Sequence, residues 1–417
     1  MEKQYEVKDM GLAESGMLNI EMAEGRMQAL MSIRKRFSAE KPFKGMTIGM
    51  ALHITKETAA LVRTLVAGGA KVAIASCNPL STQDDVAAAL AKEGISTYGY
   101  KGESKEDYYK FIDAVIAAKP NLTIDDGCDL VTRIHTMHPE LIKGMVGGCE
   151  ETTTGVIRLR AMAKDAALKY PVVAVNDNKT KHLLDNYYGT GQSTIDGILR
   201  ATSVLLAGKT FVVAGYGECG KGLALRAKGM GSNVIVTEVD YFKALQAVLD
   251  GFRVMPMSEA AKVGDIFVTV TGDARVITLD NIKQMKDGAI LANAGHFDVE
   301  LDMALLNKNS KKRRIRSSLD EYTVDGKRIY VCSEGRLVNL SAAEGHPSEV
   351  MATSFAGQAL ACEYLIKNRG KLKAGVVTLP DEIDNEIARL ELEAMNIRID
   401  SLTSEQSKYL SSWKEGT

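Results

Sequence analysis

Three acidic residues cluster at the end of one short apolar segment of the chain. Leu122–Asp125 is typical of a buried strand, and Asp126 and Asp129 come just after it. Carboxylates held this close raise one another's pKa, which suits a group that removes a proton near neutral pH. A turn that caps the next helix is the plainer alternative. The residues alone leave both interpretations open.

A histidine and a glutamate flank a second junction between strand and helix. His53 ends the predicted strand Met46–Leu52, and Glu57 lies in the first turn of the predicted helix Glu57–Val66. Thr55 between them suits N-capping, and the helix dipole favours a carboxylate at Glu57. Capping and ligand binding both explain these residues.

Four hydrogen-bonding side chains follow one another after Glu150: Glu151, Thr152, Thr153 and Thr154. Such a run suits a ligand that carries several hydroxyl groups. The alternative is that these residues cap the helix that follows.

Lys181 and Asp185 are four positions apart, so one face of a helix presents both side chains. Asn176, Asp177 and Asn186 add further polar groups nearby. A binding site and a solvated surface ion pair are both compatible with this spacing.

Three of the six histidines, His53, His296 and His346, lie at predicted strand ends or in loops, whereas the other three are interpreted as structural. Ligands bind at strand ends in open α/β sheets. No two histidines or cysteines keep ligand spacing on one element, so the sequence predicts no metal centre.

A glycine-rich turn gives the sharpest local signal. The predicted strand Thr210–Ala214 leads into G-x-G-x-x-G at Gly215, Gly217 and Gly220, and Glu238 ends the next strand. Such a turn binds a pyrophosphate at a helix N-terminus, and the acidic residue binds a ribose 2′-hydroxyl, which favours NAD over NADP. A P-loop is excluded, because Gly222 stands where Ser or Thr would bind magnesium. A glycine turn without a ligand is the alternative.

Two series of predicted strands and helices position these residues. The first runs through Lys71–Ser76 and Val172–Val175, and the second from Thr210 to about Val338. Ser193–Leu206 is predicted as the helix between them. Alternation of this kind is typical of parallel α/β sheets.

Composition excludes several classes of function. The 417 residues carry 52 Lys and Arg against 53 Asp and Glu, so no basic surface for nucleic acid or anionic membranes is expected. No apolar run approaches the roughly 20 residues that span a bilayer. The polar N-terminus and six scattered cysteines predict a cytoplasmic protein with free thiols.

Eight motifs together make the chain resemble the S-adenosylhomocysteine hydrolase family, in its short archaeal-like form. They cover nearly the whole sequence in order: Asn78–Gln83, Ile124–Asp129, Glu150–Val156, Val175–Asp177, Thr180–Asn186, Val213–Gly222, Asn293–Glu300 and Gly335–Leu340.

The resemblance implies hydrolysis assisted by a redox step. In such enzymes bound NAD⁺ oxidises the ribose 3′-hydroxyl, which makes the C4′ proton acidic. A base removes that proton, homocysteine leaves from C5′, water adds, and the hydride returns. No net oxidation occurs.

The resemblance also implies roles for single residues. Lys181 and Asp185 deprotonate the 3′-hydroxyl, and a lysine acts so at neutral pH when its pKa is lowered. Asp126 takes the C4′ proton, with Lys181 as the alternative base. His53 and His296 serve the thiolate and water, and Glu151 binds the ribose.

The purine is placed near Thr55, Glu57, Glu344 and His346. The implied NAD contacts are Thr152, Thr153, Thr154, Asn186, Gly215, Gly217, Glu218, Cys219, Gly220, Glu238, Asn293 and Asn339.

Three positions depart from the family pattern. The chain ends at Thr417, before the Lys/Tyr tail that reaches a neighbouring subunit's NAD in many members. Thr190 replaces a cysteine common near the nicotinamide, and Glu344 replaces an apolar residue near the purine. A carboxylate accepts a hydrogen bond from hypoxanthine N1–H, so Glu344 is compatible with an inosine substrate as well as with adenosine.

The implied architecture has three parts. These are a discontinuous substrate-binding domain (residues 1–187 and 345–380), a Rossmann-type NAD-binding domain (188–344) and a short C-terminal helical tail (381–417). A homotetramer follows from resemblance alone. A 2-hydroxy-acid dehydrogenase and a non-catalytic, NAD-binding regulatory relative are the competing interpretations.

Overall fold

Residues 4–413 are described by the computed structural model, and they form two eight-stranded sheets flanked by helices. The strands are β1 (Tyr5–Glu6), β2 (Thr47–Ala51), β3 (Lys71–Ala75), β4 (Ser96–Tyr98), β5 (Leu122–Asp125), β6 (Gly147–Glu150), β7 (Pro171–Ala174), β8 (Thr210–Ala214), β9 (Asn233–Thr237), β10 (Arg253–Val254), β11 (Ile266–Thr269), β12 (Ala289–Asn293), β13 (Lys311–Arg316), β14 (Leu319–Val324), β15 (Lys327–Cys332) and β16 (Gly375–Val377).

Helices cover both sheets. They are α1 (Ala13–Glu24), α2 (Gln28–Glu40), α3 (Lys56–Ala67), α4 (Asp84–Lys92), α5 (Lys105–Ala117), α6 (Asp129–Met137), α7 (Thr153–Lys164), a π-helix (Thr180–Gly189), α8 (Thr190–Thr202), α9 (Glu218–Gly229), α10 (Tyr241–Leu249), α11 (Met257–Val263), α12 (Leu279–Gln284), α13 (Met303–Asn309), α14 (Val338–Ser341), α15 (Ser348–Lys367), α16 (Asp381–Ala394) and α17 (Ser404–Leu410).

The first sheet is parallel throughout, with the order β1-β4-β3-β2-β5-β6-β7-β16. Its central strands are buried on both faces, which explains their uninterrupted apolar sequences. The strand order changes direction between β2 and β5. In an open parallel sheet, that point forms a crevice at the carboxyl ends of the strands.

The second sheet has the order β10-β9-β8-β11-β12-β15-β14-β13. Its first six strands are parallel in the Rossmann order, and an antiparallel hairpin extends the edge. The crevice of this sheet lies between β8 and β11. The predicted α/β class with a Rossmann-type second sheet is confirmed.

The connection between the sheets differs from the prediction. The helix predicted for Ser193–Leu206 is α8, which begins at Thr190 and follows the π-helix without a break. It ends at Thr202, because Ser203 takes a left-handed conformation with φ of 55°. Apolar spacing alone did not reveal the π-helical segment.

The chain returns to the first sheet after the second is complete. Strand β16 pairs with β7, and α15 packs against α2, α3 and β6. Helix α16 packs against α2 and α15, whereas α17 buries none of its residues. Within residues 4–413, no helix has both the length and the apolar character needed to cross a bilayer.

Candidate active site

One cavity of about 1390 Å³ lies where the carboxyl ends of the two sheets face each other. Leu52 and Asp126 reach it from β2 and β5, and Gly215 and Val270 reach it from β8 and β11. Both crevices therefore open into the same space. Each sheet contributes the edge at which open α/β folds bind ligands.

Asp126 lies between two histidines in this cavity. Its Oδ2 is 3.3 Å from Nε2 of His53, and its Oδ1 is 3.5 Å from Nδ1 of His296. His53 comes from the first sheet and His296 from the loop after β12 of the second. The two halves of the cavity thus complete this group together.

Burial sets the charge of the first of these histidines. It lowers the pKa of His53 to about 4, although the Asp126 carboxylate acts in the opposite direction. His53 is therefore a neutral imidazole near pH 7. The hydroxyl of Ser81 lies 2.7 Å from its Nδ1, which orients the ring.

The acid cluster Asp125–Asp129 does not act as a unit. Asp125 turns away from the cavity and accepts a hydrogen bond from the backbone N–H of Val131 at 2.9 Å, and burial raises its pKa to about 8. Asp129 pairs with Arg158 at 2.7 Å. Only Asp126 lines the cavity, so the expectation of three cooperating acids at the ligand edge is replaced by one.

Cys77 is a neighbour of Asp126 that the sequence analysis missed. Its Sγ lies 3.8 Å from Oδ2 of Asp126. His53, Cys77 and Asp126 each place one potential ligand atom within 4.8 Å of the others, a spacing that is compatible with a metal ion. They come from three elements, so ligand spacing along the sequence did not reveal it.

Lys181 and Asp185 form a buried pair on the π-helix. Lys181 Nζ lies 3.1 Å from Asp185 Oδ1 and donates to Asn186 Oδ1 at 2.7 Å. The wide π-helical turn brings the residue five positions on, Asn186, onto the same face. All three residues line the cavity, so the alternative of a solvated surface pair is wrong.

The surroundings do not lower the pKa of Lys181. Burial acts in that direction, but the carboxylates of Asp185 and Glu151 outweigh it and raise the pKa above its ordinary value. The lysine is therefore an ammonium group near neutral pH before any ligand binds. The lowered pKa expected for a lysine base is absent from this state.

Glu151 faces the cavity, and Glu150 does not. Ser354 and Gln358 of α15 donate hydrogen bonds to the two oxygens of Glu151, and Lys181 Nζ lies 3.9 Å away. Burial raises the pKa of Glu151 to about 7, against the effect of Lys181. Glu150 instead accepts from the backbone of Gly127 at 2.8 Å and so holds a loop in place.

The three threonines after Glu151 all line the cavity, and Thr152 is the N-cap residue of α7. Thr153 donates a hydrogen bond to Oδ1 of Asn176 at 3.2 Å, and the amide of Asn186 donates to the same oxygen at 3.3 Å. Asn176 thereby joins the threonine segment to the π-helix.

The residues expected near the purine occupy one side of the cavity. Thr55 caps α3 and lines the cavity, so the two interpretations of this residue hold together. Glu57 is buried and accepts a hydrogen bond from Ser348 at 2.7 Å. His346 lies deeper, with Nδ1 3.3 Å from Asp185 Oδ1 and Nε2 3.3 Å from the Thr190 hydroxyl.

Glu344 lies at the rim of the same side. Its side chain is 56% exposed, and its two oxygens lie 3.5 Å from Arg200 and from Lys56. The amide of Gln83 donates to it from 3.4 Å. A carboxylate has two oxygens with about four lone-pair sites, so Glu344 retains lone pairs for a further donor.

The glycine loop has the geometry that a pyrophosphate needs. Gly215 has φ of 106°, which favours glycine, and a Cβ at Gly220 would lie 2.1 Å from the Gly215 carbonyl oxygen. A Cβ at Gly217 would meet no atom within 4 Å. Gly217 is the N-cap residue of α9, whose first turn contains Glu218 and Cys219. The N-terminus of α9 is therefore free to approach an anion.

Glu238 ends β9 beside that loop. Its carboxylate accepts from the backbone N–H groups of Tyr216 at 2.8 Å and of Val239 at 2.7 Å, and it lines the cavity. This fixes the carboxylate where a ribose hydroxyl of a dinucleotide would donate to it. The glycine loop and Glu238 together fit NAD.

Asn293 does not line the cavity. Its amide donates to the carbonyl groups of Phe297 and Gly335 at 2.9 and 3.0 Å, and it is fully buried. It holds the loop that carries His296. The expected contact of Asn293 with the cofactor stays a prediction, whereas Asn339 lines the cavity.

The chain is similar to known proteins along nearly its full length. Residues 4–138 match the family described as S-adenosyl-L-homocysteine hydrolase, and residues 186–345 match its NAD binding domain. The adenosylhomocysteinase of Saccharolobus solfataricus is 59% identical over 416 residues, covering 99% of this chain and 100% of that protein. The S-inosyl-L-homocysteine hydrolase of Methanocaldococcus jannaschii is 56% identical over 414 residues, with 99% and 100% covered.

Proposed function

The chain belongs to the S-adenosyl-L-homocysteine hydrolase family, and from this premise we propose that it reversibly hydrolyses S-adenosyl-L-homocysteine to adenosine and L-homocysteine. It is a hydrolase that uses NAD as its cofactor. One observation carries the proposed reaction: Asp126 with its two histidines and the Lys181–Asp185 pair line one cavity. A proton-transfer group and a group suited to the ribose 3′-oxygen thus reach the same nucleoside.

The second sheet supplies the cofactor subsite. Gly217 and the first turn of α9 would hold the pyrophosphate, and Glu238 would accept from a ribose hydroxyl. When bound, NAD supplies a reversible hydride acceptor for the ribose 3′-carbon. Asn339, Thr153 and Thr154 line the cavity between this subsite and the residues of the first sheet.

Lys181 and Asp185 act at the ribose 3′-oxygen. The Asp185 carboxylate would accept the proton of the 3′-hydroxyl, and the Lys181 ammonium group beside it would stabilise the negative charge that develops on the 3′-oxygen. Asp185 and Glu151 keep Lys181 in place on either side. Asp185 also contacts His346, which connects the redox end of the cavity to its purine side.

Asp126 takes the C4′ proton, and the two histidines serve C5′. A carboxylate with an imidazole on each side is able to pass the proton on without moving. His53 is neutral, so it accepts a proton from the incoming water. His296 contacts the other oxygen of Asp126, with its ring centroid 6.1 Å from that of His53, and there it serves the departing thiolate.

Glu151 makes substrate binding depend on pH. Its carboxylate accepts hydrogen bonds from ribose hydroxyls more strongly when ionised, and burial raises its pKa to about 7. We expect KM for the nucleoside thioether to rise as pH falls through this value, up to about tenfold per pH unit. Steady-state kinetics across neutral pH measures this. Glu151→Gln should show a high KM without that slope, and a flat wild-type KM would contradict the assignment.

Glu344 bears on the choice between purines, because S-inosyl-L-homocysteine is the alternative substrate. A carboxylate accepts from hypoxanthine N1–H, whereas adenine offers only an unprotonated N1 there. We expect Glu344→Met to shift the ratio of kcat/KM values toward the adenosine substrate by about tenfold. Glu349→Met, which changes an exposed glutamate paired with Arg26, is the matched control. An unchanged ratio of kcat/KM values in Glu344→Met would contradict a role of Glu344 in the choice of purine.

Two other classes of protein share parts of this arrangement. A 2-hydroxy-acid dehydrogenase would release one NADH for each product and has no need of the Asp126 and Glu151 motifs. A regulatory relative would bind NAD without turnover. The intact group of His53, Asp126 and Lys181 in the cavity favours the hydrolase over both.

Further proposals concern the whole protein. We propose that residues 1–187 and 345–380 bind substrate, that residues 188–344 bind NAD, and that residues 381–417 form the tail. Closure of the two domains would exclude water from the cavity. A homotetramer in the cytoplasm, acting on a small molecule, agrees with the family. The oligomeric state is measured by light scattering.

Thiol release from the purified, NAD-loaded protein tests the proposed function. S-adenosyl-L-homocysteine and S-inosyl-L-homocysteine are offered in parallel while NADH is followed by absorbance. Thiol without net NADH supports the hydrolase, and the faster substrate identifies the purine. No thiol from either substrate would overturn the proposal and favour the regulatory relative.

A further inference from the structure

The π-helix Thr180–Gly189 carries Lys181, Asp185 and Asn186, yet its first turn lacks a local cap. Lys179 is its N-cap residue, has helical backbone angles and makes no capping bond with its own side chain. Buried N–H groups at the start of a helix need acceptors from elsewhere. For this helix the acceptor comes from a distant part of the chain.

Asp384 of the C-terminal helix α16 is that acceptor. Its Oδ2 accepts from the backbone N–H of Lys179 at 2.6 Å, and its Oδ1 accepts from that of Thr180 at 3.1 Å. The Thr180 hydroxyl donates a third hydrogen bond to Oδ1. Asp384 is buried, so these three donors have no water to replace its two oxygens as acceptors.

These bonds act next to the reacting groups. Lys181 directly follows Thr180, and its ammonium group must stay within 3.1 Å of Asp185 and 2.7 Å of Asn186. Helix α16 packs against α2 and α15, so Asp384 is fixed to the same frame that holds Glu151 through Ser354. A shift of the first π-helical turn would move Lys181 relative to Glu151.

We propose that Asp384 is a positioning residue for the reaction. It fixes the first turn of the π-helix so that Lys181 and Asp185 meet the ribose 3′-oxygen. Asp384 does not line the cavity, so it acts through the backbone and touches neither substrate nor NAD. The C-terminal helix is thereby part of the catalytic unit. This inference rests on the proposed function.

Asp384→Asn tests it in the full-length, NAD-loaded protein. The amide keeps the shape but leaves one acceptor oxygen for three donors. We expect kcat and the single-turnover rate of NADH formation, read by absorbance, to fall about tenfold to a hundredfold. KM should stay within about threefold, because the groups that bind substrate are unchanged. A smaller folded fraction also lowers the apparent kcat without changing KM, but it lowers the amplitude of single-turnover NADH formation and not its rate constant, so that rate constant separates the two causes.

Asp381→Asn is the matched control. Asp381 lies one turn earlier on α16, is exposed, and pairs with the Lys179 side chain at 3.1 Å. Its loss should change the rate of NADH formation less than about twofold. Thr180→Val removes one donor and keeps both backbone bonds, so a loss of about threefold is expected.

A wild-type rate of NADH formation in folded Asp384→Asn overturns the inference, whatever its melting temperature. If that variant does not fold, a wild-type rate in Thr180→Val overturns it instead. Absence of NADH formation in the wild-type protein would count against the proposed function. The two failures are therefore distinguishable.

Discussion

Asp126→Asn should lose thiol release by about 10³-fold while retaining NADH formation on the enzyme. The amide cannot take the C4′ proton, yet it leaves Lys181, Asp185 and the NAD subsite unchanged. Turnover would therefore stop after the redox step. Stopped-flow absorbance measures NADH, and a thiol reagent measures the released product.

Asp129→Asn is the control for this experiment. Asp129 lies in the same loop, but its carboxylate pairs with Arg158 and does not line the cavity. Thiol release should stay within about fivefold of the wild type. Equal losses of thiol release and NADH formation in Asp126→Asn would contradict a role confined to the elimination step.

Lys181→Met should show the opposite pattern, with NADH formation itself reduced by about 10³-fold. The side chain keeps its length, but no cation remains beside the 3′-oxygen or between Asp185 and Glu151. NAD content should be unchanged, because the glycine loop and Glu238 lie on the second sheet. Rapid-mixing absorbance and NAD extraction measure the two quantities.

Lys179→Met is the matched control, since Lys179 is exposed and its side chain pairs only with Asp381 among the ion pairs of the described residues. It should form NADH at close to the wild-type rate. If Lys181→Met formed NADH normally, the ribose 3′-oxygen would not be the place where Lys181 acts.

Much of the fold was predictable because short apolar runs and glycine positions in the sequence indicate it. Buried parallel strands leave continuous apolar runs, so Leu122–Asp125 and Thr210–Ala214 have the predicted bounds. The glycine loop was predictable for a similar reason: Gly215 needs its positive φ and Gly220 its close packing.

Contacts between distant segments were not predictable in the same way. Ser354 and Gln358 hold Glu151 from 203 and 207 positions away, and Asp384 caps the π-helix from 204. No short-range pattern in the sequence indicates contacts between residues about 200 positions apart. The same limit applies to the hydrogen bond from the Asn293 amide to the carbonyl group of Phe297, which holds the loop that carries His296.

Charge states depend on these distant contacts as well. A lysine four positions before an aspartate has no defined pKa until its burial and all its neighbours are known. Asp185 was visible in the sequence, but the approach of Glu151 to 3.9 Å was not. The raised pKa of Lys181 follows from the two together.

The proposed mechanism requires that one cavity couples oxidation at C3′ to loss of the proton at C4′. Exchange of the C4′ hydrogen with solvent tests it most directly. The NAD-loaded enzyme is incubated with adenosine in D₂O, and the recovered nucleoside is analysed by NMR and mass spectrometry. We predict deuterium at C4′ in wild-type samples and none in Asp126→Asn. Thiol release from S-adenosyl-L-homocysteine without any exchange at C4′ would contradict it and indicate direct displacement at C5′.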